Sequence, residues 1–170
     1  MKKTMIFLAL NLIAATSQAH VGFVQDKAEQ GSTVRFALKV PHGCGTAATS
    51  SIKINIPEGI QAAKPMPKAN WDVKINKATL SKPYESHGKT VTEDVNSLTW
   101  SNGNLPADFY DEFVFQAKAA SAAGPVYFVV EQSCGNTKQV WQSMSHDDAY
   151  PAAVFTIMPK AEQTHSSHHH

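Results

Sequence analysis

The chain has 170 residues, 42% of them hydrophobic, with 15 basic and 14 acidic side chains, eight histidines and two cysteines. That length suffices for one domain with a substantial core. The near-neutral charge gives no electrostatic case for nucleic acid or an anionic membrane surface as a partner.

The first residues read as an export signal. Lys2 and Lys3 precede an apolar run from Met5 to Ala15, and Ser17 and Ala19 supply the small residues expected shortly before a signal-peptidase cut. Residues 1–19 are therefore expected to be removed between Ala19 and His20, giving a periplasmic or secreted protein, and losing two lysines turns the net charge from +1 to −1. Nothing after Ala19 approaches the roughly 18 consecutive apolar residues of a membrane-spanning helix. The new first residue, His20, would carry both a free α-amine and an imidazole, so the amine nitrogen and ring Nδ1 can chelate one metal ion. Copper(II) suits such a pair, because it favours nitrogen ligands in a tetragonal arrangement and binds tightest of the divalent first-row ions. The plainer reading is that a signal must end somewhere and a histidine follows.

His20 to Val24 can alternate faces as a short first strand, with a turn over Asp26 to Gly31. Ser32 to Val40 places Val34, Phe36, Leu38 and Val40 on one side, and Pro41-His42-Gly43-Cys44-Gly45 breaks that strand. Ser51 to Ile56 alternates again, and Gln61 to Asn70, with Pro65 and Pro67 around Met66, reads as an irregular or polyproline-like edge. Trp71, Val73 and Ile75 mark a strand, His87 falls in a long polar loop, and Thr90 to Trp100 forms one or two strands more. After a turn at Asn102 to Pro106 come strands over Tyr110 to Lys118 and Pro125 to Glu131, a turn at Gly135-Asn136, and strands at Lys138 to Met144 and Ala153 to Met158. Lys118 to Ala123 holds at most one helical turn. Roughly seven to nine short strands with no helical period predict an all-β fold, a β-sandwich. Residues 160–170 form a polar tail ending in histidines, expected to be disordered, whether a tag remnant or a natural metal-collecting tail.

In an oxidising compartment Cys44 and Cys134 are most simply a disulfide closing a loop of about 90 residues. The competing reading makes them thiolate ligands for copper(I), with Met66 or Met144. No nucleophile elbow, phosphate loop, dinucleotide fingerprint or zinc-protease motif is present, so no enzyme is expected. The carboxylate pairs Glu93-Asp94, Asp111-Glu112 and Asp147-Asp148 read as solvated strand edges, since sequence neighbours on a strand point to opposite faces. The remaining copper-compatible groups are His20, His42, His87, His146, Met66, Met144 and Glu131, while Trp141 reads either as core or as an indole set against a metal ion.

Val40-Pro-His-Gly-Cys44, Ile56-Pro-Glu-Gly-Ile60 with Lys64-Pro-Met-Pro-Lys68 and Trp71, Leu98-Thr-Trp100, Leu105-Pro106 with Asp111-Glu-Phe113, and Val140-Trp141 together resemble the YcnI-like family of secreted bacterial domains. The resemblance spans His20 to about Pro159. It implies an immunoglobulin-like or cupredoxin-like β-sandwich that binds one copper(II) through the N-terminal histidine, with a carboxylate and a tryptophan completing the site. Carried to this chain, the histidine is His20 and the tryptophan Trp141. Where the family pattern has an acidic residue after Val-Pro, this chain has His42-Gly43-Cys44, so either His42 substitutes or Glu131 supplies the carboxylate. The resemblance further implies a periplasmic copper chaperone, with an inner-membrane copper transporter or another copper chaperone as partner. Two rivals stand beside it: a copper oxidative enzyme using His20 with His42, His87 or His146, and a metal-free adhesion or scaffold module. Oligomeric state is left open.

Overall fold

The computed structural model describes residues 20–161, so the expected signal and most of the histidine-rich tail lie outside the described residues. Twelve strands and no helix make up the described chain: β1 (Gly22–Phe23), β2 (Lys27–Glu29), β3 (Thr33–Val40), β4 (Ser51–Asn55), β5 (Ile60–Pro65), β6 (Asp72–Ser86), β7 (Lys89–Ser101), β8 (Asp111–Ala119), β9 (Gly124–Phe128), β10 (Val130–Cys134), β11 (Thr137–Trp141) and β12 (Ala153–Met158). Two main sheets, ordered β1-β3-β8-β5 and β11-β10-β4-β7-β6, form the sandwich, and a smaller one, β2-β12-β9, joins them.

Alternation explains how the sheets meet. Val34, Phe36, Leu38 and Val40 on β3 are buried, as are Ile52 and Ile54 on β4 and Phe113 and Phe115 on β8. Phe36 stacks on Phe115 with centroids 4.8 Å apart, and Phe23, Phe128 and Phe155 pack around them, so the third sheet contributes to the same core. Each such ring removes a large apolar area from water, which is the main stabilising term available to a chain of this size.

Several strand expectations need correction. The segment Pro125 to Glu131 is two strands: the chain leaves β12 at Phe128 and joins β4 from Val130, with Val129 the switch between sheets. The turn expected at Asp26 to Gly31 includes β2, which pairs in parallel with β12. Ile60–Pro65 is a true edge strand with a register shift between Gln61 and Lys64. The long polar loop around His87 is a two-residue turn, because His87 (φ 50°) and Gly88 (φ 72°) both adopt the left-handed backbone that closes a tight hairpin between β6 and β7.

One lateral side of the sandwich is clasped by polar groups. Asp94, expected at a solvated edge, is buried, and its carboxylate accepts from the backbone N–H of Ala62 on β5 (2.9 Å) and from the Tyr84 hydroxyl (2.7 Å). Burial, reinforced by that carboxylate, pushes the Tyr84 phenol up to about 12, so it remains a donor at neutral pH. The Trp100 indole N–H donates to the Met66 carbonyl at 3.2 Å, tying the same two sheets. These bonds join β5 to β7, which leaves β1 and β11 as the outer strands on the other side.

Cys44 and Cys134 form a disulfide with Cα atoms 5.8 Å apart, which excludes the thiolate reading for copper(I). It ties the loop after β3 to the end of β10. In the chain-entropy picture a closed loop of this length contributes about 4 to 5 kcal/mol. Urea unfolding with and without a thiol reductant is expected to show a loss of that order; an unchanged midpoint would mean the reduced chain pays no such entropy.

Candidate functional site

The site forms where β1 and β11 end. His20 lies two residues before β1, and Val21 between them is buried, so the start of the domain is anchored by packing as well as by pairing of Gly22 with Lys39. Trp141 is the last residue of β11 and pairs with Val130, so strand alternation turns its indole to the inner face, where it is 2% exposed. The His20 ring lies 6.2 Å from the Trp141 ring and 5.3 Å from that of His146, both edge-on. The His42 ring lies 6.4 Å from the same indole. Tyr150 meets Trp141 edge to face at 5.2 Å.

A buried amide holds this arrangement together. Gln132 on β10 is 0% exposed; its Nε2 donates to the His42 carbonyl and to Thr49 Oγ1, both at 2.8 Å, and its Oε1 accepts from the Trp141 indole N–H at 3.2 Å. One side chain thus fixes the indole, the backbone of His42 and the start of the chain leading into β4. The His42 ring Nδ1 lies 2.6 Å from the Gly43 carbonyl. A side chain at Gly43 would place its Cβ 2.1 Å from the Ala47 carbonyl oxygen, so this loop closes as tightly as it does because glycine follows His42.

The structure therefore brings His20 and Trp141 together and sets His42 on the same indole. It does not bring Glu131 to them. Glu131 alternates with Val130 and Gln132, so it points to the outer face of the sheet, where it pairs with Lys53 at 2.8 Å and with Lys138. The hydrogen bond from Lys138, then that from Lys53, holds its carboxyl below the ordinary range. His87 lies at the β6–β7 hairpin tip, and Met66 follows β5, away from the rings. Among the described residues no three His, Cys, Asp or Glu side chains form a ready-made metal cage.

Sequence reading passed over Gln132, although a polar residue between Val130 and Cys134 on the inward-facing positions of one strand is itself a signal: buried polar groups need partners. It also left Tyr150 unplaced. Gln139, beside Gln132 in register, has a buried Oε1 with no partner among the described residues.

Replacing Gln132 by leucine leaves the Trp141 N–H and the His42 carbonyl without their partner and is expected to cost about 1 to 3 kcal/mol in denaturant unfolding, with a shifted tryptophan emission. Retention of full stability would mean the indole and loop are held by packing alone. Glu131→Gln separates a structural from a ligand role. A depressed carboxyl stabilises the fold above its unfolded value, near 4.5, and that contribution disappears as pH falls through the lower folded value. Because both lysines are more than a third exposed, the expected loss at neutral pH is only about 0.5 to 1 kcal/mol, vanishing in acid, with metal binding unchanged.

Comparison with solved structures finds a similar fold in an uncharacterized protein from Nocardia farcinica, described as immunoglobulin-like: TM-score 0.62, 21% identity, covering 81% of this chain and 97% of that one. The all-β sandwich expected from sequence is thus of the immunoglobulin-like kind. The seventh ScaB type I cohesin of Pseudobacteroides cellulosolvens aligns far more loosely, with a TM-score of 0.33 and 12% identity over 89% of this chain and 97% of that one. No curated protein matches. The family described as "Domain of unknown function (DUF1775)" matches residues 20–157, from the histidine that opens the site to the last strand, and the chain belongs to that family, known also as the YcnI-like family.

Proposed function

We propose that this chain is a periplasmic copper(II)-binding protein that holds copper, or hands it on, through an N-terminal His20 exposed by removal of residues 1–19. The observation that carries the reading is the position of His20: at the start of the folded domain, beside a buried indole whose N–H is already spent on Gln132. The donor chemistry fits copper(II), for His20 would supply an amine and an imidazole nitrogen from one residue, and a second imidazole, that of His146, lies 5.3 Å from its ring. Bound copper would supply a charge that the adjacent indole can meet electrostatically while excluding water. His42, on the same indole, is the better placed of the two residues weighed for completing the ligand set, since Glu131 is paired with lysines on the outer face.

A holding role needs no substrate cleft and no catalytic carboxylate, and the reading is of a binding protein, not an enzyme. Its partners are copper itself and a membrane transporter or second chaperone that gives or takes the ion.

The amine must lose its proton to bind, so apparent affinity is expected to rise with pH through roughly 7.7 to 8.0. The test compares chain beginning at His20 with chain carrying one extra N-terminal residue, both ending after Pro159, a boundary that keeps all twelve strands and removes the terminal histidines. Calorimetry and electron paramagnetic resonance should give one tight equivalent with a nitrogen-rich signal for the first and loss of that site for the second. Equal binding by both would refute an N-terminal site.

A further inference from the structure

Resting on the copper reading above, we infer that His146 is a ligand of the same site, contributed by the loop between β11 and β12 and closing over His20 from the solvent side. Its ring lies 5.3 Å from that of His20, nearer than Trp141. Two imidazoles at that separation are within reach of one ion after a small side-chain rotation, and both are accessible: His20 is half-buried and His146 exposed.

The loop from Ser143 to Tyr150 is built to present this residue. Its base is closed by backbone bonds from Gln142 and Ser143 to the Tyr150 carbonyl (2.9 and 3.0 Å) and from Ala152 to the Ser143 carbonyl (2.8 Å). Inside it, the Asp148 N–H donates to the Ser145 carbonyl, the Ser145 N–H donates to Ser143 Oγ, and the Ser143 hydroxyl donates to the Asp148 carboxylate. Tyr150 docks the returning end on Trp141. The exposed residues of this loop bury little apolar surface, so its order comes from polar bonds that shape a turn, and the turn carries His146 back over the N-terminus. Asp148 accepts from Ser143 within the loop, and the imidazole of His146 is the side chain the loop sets against the His20 ring.

The arrangement assigns the two ligand-bearing elements different freedoms. His20 is fixed by β1 and the core, whereas His146 sits on a surface loop with few packing contacts. A ligand that can withdraw without unfolding the sandwich gives the ion an exit, since losing one nitrogen donor weakens the site while the amine and His20 still hold it.

The experiment uses chain from His20 to Pro159, the same chain with one extra N-terminal residue, and the His146→Gln variant, each titrated with copper(II). Electron spin-echo modulation, which counts coordinated imidazoles, should report one fewer in His146→Gln than in the parent, with affinity falling about ten- to hundredfold and thermal unfolding of the copper-free protein unchanged. Binding abolished by the extension yet identical in His146→Gln would overturn this inference and leave the N-terminal site standing. Binding indifferent to the extension would overturn both.

Discussion

The amide of Gln132 is the constraint on which the site depends. A fully buried amide that lost its partners would cost the domain a few kcal/mol, so its three bonds are close to obligatory once β10 places it inward. Those bonds run to three different parts of the chain: the indole at the end of β11, the backbone just after β3, and Thr49 ahead of β4. With the disulfide from Cys44 to Cys134 reinforcing the same loop, the region around His42 cannot shift independently of Trp141. The site is preorganised by its interior, and the residues that would meet an ion are positioned from behind.

The two lateral sides of the sandwich are treated differently. On one, Asp94, Tyr84 and Trp100 spend their polar atoms joining β5 to β7, and that side is closed by internal bonds. On the other, the short strand β1 and the edge strand β11 meet through aromatic and imidazole rings. The start of a domain is ordered only when packing and pairing hold it. Here Val21 and Phe23 enter the core immediately after His20, and the burial of those two side chains fixes the histidine. The affinity of any ligand bound there is therefore tied to core packing as well as to donor identity.

Much of the fold was legible in the sequence because it rests on alternation. Ser32 to Val40, Ser51 to Ile56 and Ala153 to Met158 each show a period of two, and each is a strand within a residue or so of the expected bounds. The failures share one cause. Val129 switching sheets, His87 in a two-residue turn, β2 beside β12 and Asp94 drawn inward are all settled by partners distant in sequence, and a local pattern carries no register with a distant strand. Glu131 and Gln132 illustrate the limit at the site: one residue of offset on β10 separates a carboxylate on the outer face from an amide at the hub.

By itself the sequence determined that the chain is all-β and that a histidine opens the domain, and it favoured pairing of two cysteines far apart, because residue type, period and order are local properties. Only the tertiary structure decided which rings share the edge with His20. Trp141, His42, His146 and Tyr150 come from separate segments, and their meeting depends on which strands are outermost in each sheet and on the hydrogen bonds that hold the loops after β3 and β11. Those are consequences of packing two twisted sheets around one aromatic core, a cooperative choice that no single stretch of sequence encodes.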